Sequence, residues 1–263
     1  MEKSATSYLF FVGIDLSKTS FDVSIINSVG KKLAYRKFKN EESDCFIFLK
    51  WVGEVTKVQE EILFCMEHTG IYGRRLKHFL QNHNQPLWLE SGLQIKRSGG
   101  IQRGKNDKID SYRIAIYAQE KQHKAEITRN YDVDIEQMHD LLTTRNRLLK
   151  AHHALRTAQE ELKKFDEISY QQVKEVQQEA IRGIETSIKI TEEAIDKILD
   201  NREEWKKNVV LTTSIKGVGK LTALWFIVYT NNFDNKYNAR KIAAFIGIAP
   251  YENSSGTTVD NGT

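Results

Sequence analysis

The stretch YLFFVGIDLS at residues 8–17 decides how the first part of the chain is expected to fold. Apolar residues run through it almost without a break, and the run ends around Asp15. A run that does not alternate between apolar and polar residues is typical of a strand buried on both faces of a sheet. The stretch EILFCMEHTG at 61–70 has the same form and places Glu67 at its end. We therefore predict two buried strands, each ending in an acid.

Shorter apolar segments around these strands predict a mixed α/β domain. Five further elements are expected from their spacing and turn residues: strands at 21–27, 31–38 and 85–91, and helices at 41–55 and 72–82. The helix at 41–55 makes a crossover connection, which can lay the strand at 61–67 parallel to a central first strand. Asp15 and Glu67 would then lie side by side at one end of the sheet.

A pair of aspartates occurs in GGIQRGKNDKIDSYRIA, residues 99–115, where a helix is predicted to begin. Asp107 and Asp110 are three residues apart, so their side chains lie about 60° from each other around a helix axis. Like charges at such a distance raise each other's pKa unless a cation lies between them. Solvated surface charge is one interpretation of this pair, and a divalent cation site is the other.

Four acids could thus converge on one metal: Asp15, Glu67, Asp107 and Asp110. A lone aspartate after a strand is usually a turn residue, but a glutamate that ends a buried run needs a partner, because burial of an unpaired charge is costly. Mg²⁺ prefers oxygen ligands and suits carboxylates from separate elements, with Mn²⁺ as an alternative ion. Such a site is typical of phosphoryl transfer.

Basic residues dominate the segment that leads to the aspartate pair. Five are candidate nucleic-acid ligands: Lys96, Arg97, Arg103, Lys105 and Lys108. Glycines at 99, 100 and 104 favour close approach of the backbone to a phosphate chain. A solvated loop is the alternative interpretation.

Residues 125–206 contain no proline and one glycine, and they are rich in Glu, Lys, Gln and Leu. Leucines at 141, 148, 155 and 162 recur every seven residues. Two long helices with a break near 164–170 are predicted, either as an antiparallel hairpin or as a coiled-coil arm for dimerisation.

Residues 207–263 contain the glycine turn KGVGK followed by an apolar helix, which is the form of a helix-hairpin-helix unit. Such a turn presents backbone N–H groups to a phosphate. Its candidate nucleic-acid ligands are Lys216, Gly217, Gly219 and Lys220. A short helix stopped by Pro250 and a polar tail are expected to follow.

The composition is compatible with a nucleic-acid partner. The 263 residues carry a formal net charge of +4, and the pI is near 8.8. The longest apolar runs are far too short to cross a bilayer, and the start of the chain lacks the pattern of a secretion signal. Cys45 and Cys65 are expected to be free thiols in a reducing, cytoplasmic compartment.

Several motifs resemble a known family. GIDLSK with Asp15, MEHTGIY with Glu67, and GKNDKIDSYRIA with Asp107 and Asp110 resemble the DEDD-motif transposases of insertion sequence 110 and their relatives, the Piv-type DNA invertases. SIKGVGKLTA followed by ARKIAAFIGIAPYENSSGTT resembles the C-terminal transposase domain of that family. The resemblance covers nearly the whole chain, and the motifs occur in the family's order.

The resemblance implies an architecture of the α/β plus all-α class. It consists of an RNase H-like (RuvC-like) mixed-sheet domain at 1–124, a helical coiled-coil region at 125–206 and a small C-terminal transposase domain at 207–263. The four acids would bind Mg²⁺. The C-terminal domain would supply a serine nucleophile that forms a phosphoserine link to DNA, and the motif places Ser255 there, with Ser254 as its neighbour.

Further expectations follow from the same resemblance. Members of the family use a structured guide RNA from their own element to choose donor and target DNA. They act as homo-oligomers, here a dimer or a tetramer, in which the acids of one protomer meet the serine of another. The family continues past Thr263 with a basic segment and further helices, so the C-terminal domain is expected to be incomplete and the activity of this chain to depend on those elements.

Three functions remain open at this point. The first is an RNA-guided DNA transposase or recombinase with Ser255 as nucleophile. The second is a metal-dependent nuclease resembling Holliday-junction resolvases, in which the same acids act with water as nucleophile. The third is an inactive nucleic-acid-binding remnant, which would show salt-sensitive binding without strand cleavage.

Overall fold

The structure is a computed structural model that describes residues 8–58, 60–98, 107–128, 132–234, 238–249, 253–255 and 258–260. The chain divides into two compact units, Met1–Tyr131 and Asp132–Thr263. The sequence-based division placed a boundary at 206/207, and residues on both sides of that position contribute to a single core in the second unit.

The first unit contains the predicted strands and helices, and it also contains a helix at Gly92–Ser98 that was not predicted. Its elements are β1 (Phe10–Leu16), β2 (Ser20–Asn27), β3 (Lys32–Lys39), α1 (Glu42–Thr56), β4 (Ile62–Glu67), α2 (Arg74–Asn82), β5 (Leu87–Glu90), α3 (Gly92–Ser98) and α4 (Asp107–Lys121). A turn of 3₁₀-helix at Gly70–Gly73 precedes α2, so the predicted helix at 72–82 becomes α-helical two residues later.

The five strands form one mixed sheet in the order β3-β2-β1-β4-β5. The first three strands pair antiparallel, whereas β4 pairs parallel to β1 and β5 pairs parallel to β4. The crossover through α1 places β4 beside the central strand β1, which confirms the predicted connection. This strand order and direction is the RNase H-like arrangement that the family resemblance implies.

Both faces of the sheet are covered, which explains why β1 and β4 are apolar without alternation. On one face, Val12, Ile14 and Phe64 pack with residues of α1 and α2. On the other face, Phe11 and Leu63 pack with residues of α3 and α4. We call the second face the α4 face.

Gly13 allows α4 to lie directly on β1. A Cβ atom at residue 13 would lie well inside 3.0 Å of the Ser111 carbonyl oxygen and the Ala115 amide nitrogen, and 2.9 Å from the Ala115 Cα. These are backbone atoms of α4, so they cannot rotate away. Residue 13 therefore has to be glycine for the helix to approach the strand this closely.

Both cysteines are free and fully buried, so the prediction of free thiols is confirmed. Burial raises the pKa of the Cys45 thiol to about 11, from the ordinary value of 9.0. Burial also raises the pKa of the Cys65 thiol, and the Glu90 carboxylate adds to that effect.

We expect these thiols to react with Ellman's reagent at pH 8 only after the chain unfolds. Thiolate is the reacting species, and a two-unit rise in pKa lowers its fraction about 100-fold. The measurement is the rate of thiolate release at 412 nm (from the reagent) with and without guanidinium. Rapid labelling of the native protein would contradict the burial of the two thiols.

The second unit is built mainly from helices. Its elements are α5 (Val133–Phe165), α6 (Glu167–Asp200), α7 (Glu203–Thr213), α8 (Lys220–Thr230), α9 (Ala239–Phe245), β6 (Asn253–Ser255) and β7 (Thr258–Asp260). The long helices α5 and α6 break at Asp166, inside the predicted interval, where the aspartate side chain accepts a hydrogen bond from the Ser169 amide and caps α6.

The helices α5 and α6 form the antiparallel hairpin, which was one of the two predicted arrangements. Cross-helix contacts join Arg145 to Glu192 at 2.7 Å and Gln159 to Gln177 at 3.1 Å. The contact residue later in α5 pairs with the residue earlier in α6, so the two helices run in opposite directions.

The open end of this hairpin packs against α7 and α8 around Met138, Leu142, Ile195 and Ala223. Beyond this core, α9 ends at Phe245 and not at Pro250 as predicted. Gly247 adopts a left-handed conformation with φ of 78°, which stops the helix before the proline is reached. Pro250 itself lies outside the described residues.

Candidate active site

Asp15 and Glu67 lie next to each other on the α4 face of the sheet. Ile14 of β1 pairs with Met66 of β4, and the two acids are the next residues along these parallel strands. Their side chains therefore share one face, opposite to that of Ile14. Both acids are half-buried. The convergence predicted for these two acids is present in the fold.

Two further acids extend this pair into a row across the sheet. Asp22 of β2 is the register partner of Asp15, and Glu90 of β5 is the register partner of Glu67. We call these four residues the acid row. The sequence analysis missed Asp22 and Glu90, although FDVSIIN places polar residues at 22 and 24, two positions that share one face of a strand.

Each outer acid is held by neighbouring side chains. The Tyr35 hydroxyl donates a hydrogen bond of 2.5 Å to Asp22, and the Lys37 ammonium lies 3.2 Å from the same carboxylate. Asp22 is only 3% exposed, so these contacts compensate a buried charge. At the other end of the row, the Tyr117 hydroxyl donates to Glu90 at 2.8 Å.

Helix α4 begins level with the row and runs antiparallel to β1 across the α4 face. Its contacts with β2 pass from Ser111, whose hydroxyl lies 2.9 Å from that of Ser24, to Gln119, whose amide donates to the Ser28 carbonyl. Ser111 lies above Gly13, and Asp107 is one turn nearer the helix start, about 6 Å away. Asp15 is two residues beyond Gly13, about 6.6 Å in the same direction. The first turn of α4 is therefore level with Asp15.

The two aspartates of α4 are placed differently. Asp107 is the first residue of the helix, and its side chain lies outside the described part of the structure. Asp110 is half-buried and accepts a hydrogen bond of 2.8 Å from the guanidinium of Arg113, one turn along the helix. This ion pair neutralises the charge of Asp110.

Glu67 lies against the start of α3. A Cβ atom at residue 92 would overlap with the Glu67 carboxylate, so Gly92 leaves the space that this side chain occupies. The backbone of α3 therefore helps to set the direction of Glu67. The amide of His68 donates to the Glu90 carbonyl at 2.9 Å, which extends the pairing of β4 and β5 past the acid row.

The oxygen donors of this face suit a hard divalent cation. Asp15 and Glu67 supply carboxylate oxygens, and Mg²⁺ is usually bound by one or two carboxylates together with substrate phosphates. Among the residues whose side chains are described, no three acids or other donors are close enough to form a complete metal site.

Three of the five predicted basic residues lie in the described part of the structure. Lys96 and Arg97 are exposed in the last turn of α3, beyond Glu67. Lys108 is exposed in the first turn of α4, beside Asp107. Arg103 and Lys105 lie outside the described residues.

The glycine turn of the second unit joins α7 to α8, as predicted. Gly217 has a φ of 91°, and Gly219 caps α8 without a side-chain hydrogen bond. Lys216 is exposed at the tip of the turn. The Lys220 ammonium lies 2.5 Å from the Asp196 carboxylate of α6, so part of its charge is neutralised within the unit.

Ser255 is the last residue of β6, which pairs antiparallel with β7. Its register partner is Thr258, and the side chains of both strands lie outside the described part of the structure. The predicted serine loop is thus a two-stranded ribbon as far as its described backbone shows.

Comparisons with known proteins assign this arrangement to a family. Residues 12–165 match the DEDD transposase family of IS110 elements, and residues 210–263 match the family described as Transposase IS116/IS110/IS902. The chain belongs to the IS110-type transposases. The match confirms the resemblance found in the motifs, and this transposase is accordingly an enzyme that recombines DNA.

Two curated relatives are similar over almost the whole chain. The pilin gene-inverting proteins of Moraxella lacunata and Moraxella bovis are each 25% identical to this transposase over 252 residues. The matched region is 95% of this chain and 74% of each relative.

One solved structure is also similar. It is described as T. thermophilus RuvC in complex with Holliday junction substrate, with 12% identity and a TM-score of 0.36 over 46% of this chain and 100% of that chain.

None of the helices within the described residues combines the length and the apolar character that a bilayer crossing requires.

Proposed function

We propose that this transposase cuts and joins DNA by Mg²⁺-dependent phosphoryl transfer, with metal ligands from Asp15, Glu67, Asp107 and Asp110. The observation that carries the proposal is the adjacency of Asp15 and Glu67 on the α4 face, level with the first turn of α4. Sequence-distant acids meet there at one end of a sheet, which is the spatial arrangement that a shared cation requires.

A bound Mg²⁺ would polarise the scissile phosphate and stabilise the charge that develops on its oxygens. The chain's own residues contribute position and charge. Glu67 is directed by the start of α3 at Gly92, and α4 is anchored at Gly13 and Ser24. Arg113 forms an ion pair with Asp110, which reduces the repulsion between Asp110 and other acids.

We further propose that Ser255 is the nucleophile and that the enzyme acts as a dimer or tetramer, guided by a structured RNA of its own element. The support is the position of Ser255 in the family motif and in the matched segment 210–263. A serine hydroxyl needs activation, which a nearby metal-bound acid centre can supply. The reaction would take place in the cytoplasm, with donor and target DNA as substrates.

The test is the covalent protein–DNA adduct. The protein is incubated with Mg²⁺ and a supercoiled plasmid that carries the genomic segment around its gene, and adducts are resolved on a denaturing gel. We expect Ser255→Ala to remove the adduct and Ser254→Ala to retain it. Equal adduct formation by both variants would overturn the assignment of Ser255.

A second candidate is a nuclease that uses water as its nucleophile. It is favoured by one observation: the acid row and Ser255 belong to different compact units, so the row is complete without the serine. In that case Ser255→Ala would still nick the plasmid in Mg²⁺, and no variant would form an adduct.

A further inference from the structure

Two lysine side chains, one from β3 and one from α4, converge on the ring of Tyr35. The Lys32 ammonium lies 5.1 Å from the ring centroid, and the Lys108 ammonium lies 5.0 Å from it. Lys32 is also 5.3 Å from the ring centroid of Tyr112, one helical turn after Lys108. Cation–π attraction of this kind places both ammonium groups beside the same aromatic surface.

A hydrogen bond from the Tyr35 hydroxyl fixes the position of its ring. The Tyr35 hydroxyl donates to Asp22, which is buried in the acid row and is also paired with Lys37. A charged acceptor makes this a strong hydrogen bond, and it leaves the ring little freedom to turn. Tyr35 is therefore a preorganised platform and not a mobile surface side chain.

Two like charges beside one ring repel each other. Burial lowers the pKa of Lys32, and the positive charge of Lys108 lowers it further. A bound anion would relieve this repulsion and restore the lost solvation. An alternative role for a lysine on an edge strand such as β3 is to prevent pairing with another strand. Lysines with that role extend into water, whereas Lys32 is half-buried against two rings.

The location identifies the anion. Lys32, Tyr35 and Lys37 belong to the edge strand β3, and Tyr35 and Lys37 pair with Ser24 and Asp22 of the α4 face. Two strand spacings, about 10 Å, separate β3 from β1 and Asp15. Every nucleotide of a DNA strand carries a phosphate, so one strand can place a phosphate here and another phosphate at the acids.

We propose that Lys32, Tyr35 and Lys108 form a phosphate-binding subsite for the DNA strand that enters the acid row. The inference rests on the proposed function in taking DNA as the substrate of this face. It adds a second group of basic residues, from β3 and α4, to Lys96 and Arg97 of α3. The buried Asp22 acts as a positioning residue, because it holds the Tyr35 ring that both lysines contact.

Binding without catalysis tests the subsite. A fluorescent 30-base-pair duplex of arbitrary sequence is titrated in EDTA at several salt concentrations, since phosphate contacts do not depend on sequence. For the double variant Lys32→Gln/Lys108→Gln we expect binding about 10-fold weaker at 0.1 M salt. The slope of log K against log salt should fall by about 1.8, which is the loss of two phosphate contacts.

The control removes the same charge from the opposite face. Lys50 and Lys57 lie on α1 and just after it, so Lys50→Gln/Lys57→Gln should keep the parent's affinity and salt slope to within about 2-fold. Tyr35→Leu, which removes the platform but no charge, should weaken binding by several-fold with the lysines intact. Equal slopes for both double variants, with circular dichroism showing folded protein, would overturn the subsite.

The same titration with an RNA hairpin distinguishes the source of the phosphate. Loss of RNA binding alone, with DNA binding unchanged, would contradict the assignment to DNA. The outcome is independent of Mg²⁺ and of Ser255, so failure of this inference can be told apart from failure of the proposed chemistry.

Discussion

Asp15→Asn is expected to reduce DNA strand transfer by about 1000-fold without unfolding the protein. The amide keeps the size of the side chain, so packing around β1 should persist. It loses the negative charge, and charge is what a carboxylate contributes to cation binding and to stabilisation of a phosphoryl-transfer transition state. Glu67→Gln should have a comparable effect, because the two acids are neighbours on the same face.

Metal binding is the second readout of this prediction. Titration with Mn²⁺, followed by electron paramagnetic resonance, should show weaker binding in both variants than in the parent. Glu54→Gln is the matched control, since Glu54 lies on α1 with its side chain 62% exposed and paired with Lys50 of the same helix. Parent-like Mn²⁺ affinity in both active-site variants would refute the metal assignment, whatever happens to activity.

Gly13→Ala is expected to destabilise the first unit by about 3 kcal/mol, at the upper end of what overpacking usually costs. The added methyl group would overlap with backbone atoms of α4 at Ser111 and Ala115, and the helix would have to move as a whole. Thermal unfolding should occur roughly 10 °C lower. Strand transfer should fall as well, because α4 carries Asp107 and Asp110.

Gly53→Ala provides the comparison for that substitution. Gly53 lies inside α1, and a Cβ atom there would meet no other atom within 4 Å. Alanine favours helix over glycine by about 1 kcal/mol, so this variant should be slightly more stable than the parent. If both glycine variants unfold at the parent's temperature, α4 does not rest on β1 as described.

Most of the secondary structure of the first unit could be predicted from local patterns. The uninterrupted apolar runs ending near Asp15 and Glu67 predicted β1 and β4, and the helix between them predicted their parallel pairing. Hydropathy was sufficient here because both faces of these strands are covered. The predicted end of α9, at Pro250, lies beyond its actual end at Phe245, because the left-handed conformation of Gly247 stops the helix first.

The site was predictable only in part. Asp15 and Glu67 are recognisable in the sequence because each interrupts an apolar run. Asp22 and Glu90 lie in segments that contain other polar residues, so neither stands out. Their role depends on register, which pairs them with Asp15 and Glu67. Asp110 and Arg113 are three residues apart in a helix, so their ion pair could have been predicted from the sequence.

The sequence by itself determined which segments become strands and helices, and that acids end the two central strands. These properties depend on the hydropathy and spacing of neighbouring residues. Only the tertiary structure decided that Gly13 must lack a side chain and that Lys32 and Lys108 meet at Tyr35. Those contacts join residues far apart in the chain, and they depend on strand register and helix position, which local patterns do not encode.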